Sequence, residues 1–196
     1  MLRSVLCGCL GLGLSAAGTG DLPAWWHGFL SMQRLESGFV QQSQSAVFGK
    51  LTRQGQLKLA KGGLLRVEYH QGLLLIADGR ELVQYDAAAR TAQRSGLRGA
   101  ADAAPLLNIL LNPGALAGFY QASPAGGQAV QLEPRRPGLP KVLLSGQGGL
   151  LQRIQWTDST GASQEIQLAG ARVPAAFPAG TFVFHAPAGT RWLNQR

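Results

Sequence analysis

The chain has 196 residues, 45% of them hydrophobic and 14% charged, and its 18 Lys and Arg against 10 Asp and Glu leave a formal charge of +8. That length suits one domain able to bury a core without staples. The basic surplus fits an acidic partner or an anionic surface, but only Arg135-Arg136 is an adjacent pair and no aromatic residues interleave with the basic ones, so nucleic acid is not expected as a partner.

Met1-Leu2-Arg3, the apolar run from Ser4 to Leu14 and the small residues Ser15-Ala16-Ala17-Gly18 read as a secretory signal peptide over residues 1–18. Cleavage near Ala17 or Gly18 leaves a single domain over 19–196. The leader is shorter than the ~20 apolar residues a bilayer span needs, and no later stretch is long and apolar enough either, so the mature protein is expected to be soluble. Both cysteines, Cys7 and Cys9, fall inside the leader, which removes disulfides and thiolate metal sites from the mature chain. Leu6-Cys7-Gly8-Cys9 also looks like a lipid-attachment box, although the stretch before Cys9 is too short for a normal apolar region.

Asp21 is placed to cap a helix with Pro23 near its start, and Leu22, Trp25, Trp26, Phe29, Met32 and Leu35 form one apolar stripe. Ser37-Gly38 ends that helix, which is expected to lie on a sheet. A strand starts at 39–42, and the sheet continues through a bend over 46–57. Leu57 and Leu59 point one way and Gln56 and Lys58 the other; Leu65, Val67 and Tyr69 oppose Arg66, Glu68 and His70. This is the pattern of a sheet with one dry face. Lys61-Gly62-Gly63 and Gln71-Gly72 are turns, residues 73–77 a buried strand, and Asp78-Gly79 the strongest hairpin signal, followed by strands at 82–85 and 90–94.

Residues 102–111 read as a helix apolar nearly all round, capped by Asp102 and stopped by Asn112-Pro113-Gly114, with a helical turn at 115–120. Such a helix needs apolar material on both sides. Alternation resumes at Val130 and Leu132, then at Ile154 and Trp156, Ile166 and Leu168, and Phe182 and Phe184, with turns at Gly148-Gly149 and Asp158-Ser159-Thr160-Gly161. The element order predicts an α+β fold, an antiparallel sheet with helices on one face.

Chemistry-bearing patterns are missing. His27, His70 and His185 fall on separate elements with no metal-ligand spacing. The carboxylates are dispersed, and no nucleophile elbow, phosphate loop or dinucleotide fingerprint occurs. No catalytic residue, metal or cofactor is expected, and the protein reads as a binder and not an enzyme.

Several pieces together resemble the periplasmic lipoprotein carrier family, LolA: Leu35-Glu36-Ser37-Gly38-Phe39-Val40-Gln41-Gln42, Leu64-Leu65-Arg66-Val67-Glu68-Tyr69, Asp78-Gly79 before Leu82-Val83-Gln84-Tyr85-Asp86, Pro105-Leu106-Leu107, and Phe182-Val183-Phe184-His185-Ala186-Pro187-Ala188-Gly189. The resemblance implies an open antiparallel half-barrel of about eleven strands covered by lid helices. It further implies a monomeric periplasmic carrier that takes acylated lipoproteins or other lipids from an inner-membrane transporter and hands them to an outer-membrane receptor. A lipid-binding sensor or regulatory interaction domain of the same fold is the alternative.

On this reading Leu57, Leu59, Leu65, Val67, Tyr69, Ile154, Trp156, Phe182 and Phe184 line an acyl cavity under a lid of Leu106, Leu107, Ile109, Leu110 and Leu111. Where the family carries an Arg-Pro pair, whose arginine hydrogen-bonds the lid, this chain has Lys61-Gly62. Lysine lacks the planar fork of arginine, so Lys61 and Arg66 are both candidate latches. Two tryptophans usual in the family's motifs are replaced by Val67 and Val83.

Overall fold

A computed structural model describes residues 21–47, 49–97 and 109–193. The expected leader over 1–18 and the lid positions Leu106 and Leu107 lie outside the described residues. One helix, α1 (Ala24–Ser31), precedes a meander of six strands: β1 (Arg34–Ser45), β2 (Gly49–Ala60), β3 (Leu64–Tyr69), β4 (Leu73–Asp78), β5 (Glu81–Asp86) and β6 (Thr91–Gly96). After a helical stretch at Ile109, Leu110 and Leu111 and a 3-10 turn at Pro113–Gly118 come β7 (Tyr120–Pro124), β8 (Ala129–Pro134), β9 (Val142–Gln147), β10 (Leu150–Thr157), β11 (Ser163–Arg172) and β12 (Arg191–Leu193).

All twelve strands form one open sheet in the order β12-β6-β5-β4-β3-β2-β1-β11-β10-β9-β8-β7. Every neighbouring pair is antiparallel except β12, which adds parallel to β6 at the edge. The two meanders join where β1 pairs with β11, so the first long hairpin sits at the centre of the sheet.

Period-two patterning carries apolar rungs across the inner face. Leu35, Leu59, Leu65, Ala77 and Leu82 are successive cross-strand partners, all buried. On the other half the rung is Val130, Leu144, Ile154 and Ile166. A register shift between Leu151 and Arg153 brings Leu151 and Ile154, an odd number of residues apart, into the same buried cluster. Trp25, Trp26 and Phe29 of α1 and Ile109–Leu111 complete that cluster from above the sheet.

The outer face carries a second, smaller apolar cluster of Val83, Tyr85 and Ala92, joined by Leu74 and Phe184. Residues 173–190 run across this face as a strap. Arg34 Nε donates to Pro174 O at 2.9 Å, Arg66 Nη1 to Thr181 O at 3.3 Å, and Arg191 N to Arg90 O at 2.9 Å.

The structure departs from the sequence reading in several places. The first helix stops at Ser31, closed by Met32 N donating to Phe29 O, and Leu35 belongs to β1, where it pairs with Leu59 of β2. Pro23 holds the N-cap position with no side-chain cap bond, so Asp21 does not cap that helix. The bend expected within 46–57 falls at its start, as a turn at Ala46-Val47 before β2. Phe182 and Phe184 are not in a strand, because Pro174, Pro178 and Pro187 deny the segment the N–H donors a ladder needs. β7, β9 and β12 are strands that the alternation did not announce; β9 opens with Val142-Leu143-Leu144, which has no period of two.

Candidate functional site

The inner face is closed over most of its area. Leu57, Leu59, Leu65, Val67 and Ile154 are buried in one cluster with Ile109, Leu110 and Leu111, and Tyr69 and Trp156 pack against its margin. Tyr69 meets Phe39 edge-on at 5.1 Å and donates from its hydroxyl to Gln41 Oε1 at 3.0 Å; burial raises its pKa, partly opposed by Arg53. Ten of the expected cavity and lid residues therefore do come together, but mostly as packed core.

Phe182 and Phe184 do not join them. Phe184 lies on the outer face, its ring 5.5 Å from that of Tyr85 and 5.9 Å from that of Trp192, and Phe182 packs edge-on against Phe177 within the strap. Arg66 also points outward, paired with Glu68 and bonded to the strap at Thr181, on the face opposite Ile109, Leu110 and Leu111.

Open space remains at one end of the core, where a cavity of about 870 Å³ lies between the end of α1, the β2–β3 and β4–β5 turns, and the segment 110–114. Leu30, Met32, Leu59, Leu97, Leu110, Leu111 and Phe119 supply its apolar wall, and Lys61 and Arg80 reach it from the two turns. The volume falls in the ~300–1,000 Å³ range of pockets that enclose small organic ligands. Leu59, Lys61, Leu110 and Leu111 were anticipated from sequence. Leu30, Met32, Leu97 and Phe119 were not, since each sits near an element end where periodicity is lost.

Local chemistry holds both turns in place. Gly63 and Gly79 have φ of 79° and 93°, the left-handed region, and a Cβ on Gly79 would stand 2.6 Å from Gly62 O, so the turns are pressed together. Asp78 accepts hydrogen bonds from Glu81 N and Arg80 N, both at 2.9 Å, and these backbone donors hold its carboxyl below the ordinary range.

A second depression of about 580 Å³ lies at the far end of the sheet, among Gln, Ser, Thr and Lys side chains beside Trp156. It lacks the apolar enclosure of the first. Among the described residues no group of three or more His, Cys, Asp or Glu is placed to hold a metal ion, and no helix is long and apolar enough to cross a membrane.

An open twelve-stranded sheet with a mostly apolar cavity under its covering helices defines a binding scaffold. Residues 31–185 match the family model of the outer membrane lipoprotein carrier protein LolA, and the chain belongs to that family. No curated protein sequence matches it. An uncharacterized conserved protein from Thermus thermophilus shares the fold, with a TM-score of 0.53 at 10% identity over 87% of this chain and 95% of that one. The LolA superfamily protein NE2245 from Nitrosomonas europaea aligns with a TM-score of 0.44 at 6% identity, covering 79% and 91%. A putative outer membrane lipoprotein-sorting protein domain from Vibrio parahaemolyticus gives 0.46 at 13%, covering 77% and 89%.

Proposed function

We propose that this protein is a soluble periplasmic carrier that shelters the acyl chains of lipoproteins and moves them from an inner-membrane transporter to an outer-membrane receptor. The observation that carries this reading is the apolar cavity between Leu59 of the sheet and Leu110-Leu111 of its cover, in a chain of the lipoprotein carrier family. No catalysis is needed, since loading and release are transfers between apolar environments.

Each sheltered methylene contributes ~0.8 kcal/mol, so a long chain holds well even when only part of it is covered. Release requires that binding be offset. Enlarging the cavity means moving Ile109–Leu111 off Leu65 and Ile154, and that lost packing lowers net affinity. The cargo then passes downhill to a receptor with a better-fitting site.

Native mass spectrometry of the protein recovered from its own periplasm tests the assignment. Acylated species should accompany it and should be lost in a Met32→Trp variant, which fills a half-buried wall position. Recovery without any acylated species would overturn the carrier reading.

A further inference from the structure

Six cations of the sheet surface are matched by carboxylates, Glu36 pairing with Lys58 and Arg172, Glu68 with Arg66, Glu81 with Arg94, Glu133 with Lys141, and Glu165 with Arg153, whereas Arg34, Lys50, Arg53 and Arg191 of the same sheet make no ion pair among the described residues. Among the described lining residues, the mouth of the cavity carries cations alone. Lys61 and Arg80 line it and make no ion pair among the described residues, and its described lining contains no Asp or Glu. Arg136, stacked 5.1 Å over the ring of the lining residue Phe119, is likewise without an ion pair among the described residues. The nearest carboxylates in sequence are already engaged. Asp78 is held chiefly by the amides of Glu81 and Arg80, with the Arg80 charge a smaller influence on it, and Glu81 pairs with Arg94.

We infer that the cavity takes an amphiphile with an anionic head, a carboxylate or a phosphate, whose charge sits at Lys61 and Arg80 while its tail lies among Leu30, Leu59, Leu97, Leu110 and Phe119. This rests on the carrier reading and adds to it the chemical class of the head. An apolar wall alone selects for chain length and not for charge. A neutral glyceride head leaves both cations without a counter-charge, whereas an anion gains a lysine point charge and an arginine fork in a partly desolvated mouth. With no Asp or Glu among the described lining residues, this positive charge also draws anionic ligands toward the opening.

The experiment compares three single-chain ligands of equal tail, each below its micelle concentration, by calorimetric titration of the purified protein: palmitate, 1-palmitoyl-lysophosphatidylglycerol and uncharged 1-palmitoylglycerol. At least one anionic ligand should bind about tenfold more tightly than the neutral one, and raised salt should shrink the gap. In the exposed double variant Lys61→Gln, Arg80→Gln the anionic ligands should fall to the affinity that the same variant shows for 1-palmitoylglycerol. Preference for palmitate alone assigns a carboxylate head, for the phospholipid alone a phosphate head, and for both an unselective anion site. Equal affinity for all three ligands would overturn the anionic head and leave the carrier intact. Failure of all three to bind would overturn both.

Discussion

Trp25 Nε1 donates to Gln128 O at 2.9 Å, across 103 positions of sequence, and this bond ties α1 to the strands of the second meander. The ring rests on Gly146, where a Cβ would stand 2.5 Å from Trp25 Cδ2. Helix and sheet touch with only a hydrogen atom of clearance, so the cover of the cavity is anchored at Trp25.

Gly146→Ala should therefore push α1 off the sheet and cost about 1–3 kcal/mol, the usual range for overpacking a filled core. Urea denaturation of the two proteins reads this directly. A variant as stable as its parent would show that the helix is not seated on Gly146.

Phe184→Ala separates the two faces of the sheet. Its ring covers Tyr85 and Trp192 on the outside, so truncation should cost about 2 kcal/mol of stability through lost partial burial. Palmitate affinity at a temperature where the variant is folded should not change. A matching loss of affinity would place Phe184 at the ligand after all.

The hydroxyl of Tyr120 is buried with no hydrogen-bond partner among the described residues, and burial raises its pKa. Tyr120→Phe removes a polar atom that costs free energy to bury, so stability should stay level or rise by up to about 1 kcal/mol. Thermal denaturation checks it, and a clear loss would reveal a partner for that oxygen.

Two turn carboxylates make stability depend on acid pH. Asp158 is held low by donors from Thr160 Oγ1 and Gln164 Nε2, with the amides of Ala162 and Thr160 adding to them, and Asp78 by the amides of Glu81 and Arg80. Because the folded values lie below the unfolded 3.8, their contribution is complete above that pH and is lost as pH falls through the lowered values. Asp78→Ala should cost about 0.5–1 kcal/mol near neutral pH, and the gap from the parent should narrow in acid. A gap that stays constant down to the lowest pH at which the parent folds would contradict the assignment.

Much of the first meander was legible in the residues themselves. Alternation from Leu57 to Tyr69 assigned the inner face of β2 and β3, and the turns at Gly62-Gly63 and Asp78-Gly79 fall where glycine was needed. Alternation also marks Phe182 and Phe184, and there it misled. A period of two says that two side chains share a face of something extended, and a proline-broken strap satisfies it as well as a strand.

What the sequence determined alone is the dry inner face of β2 and β3 and the apolar stripe of the first helix that covers the sheet, because these depend on local spacing of apolar residues. Only the tertiary structure decided which apolar residues are packed solid and which border open space. Leu57 and Leu59 have the same spacing and the same burial, yet only Leu59 reaches the cavity, since the position of α1 and of residues 110–114 is set by contacts such as Trp25 with Gln128 that lie far apart in the chain. The same holds for charge: Lys58 and Lys61 are three residues apart, and folding brings Glu36 to the first and leaves the second facing the mouth.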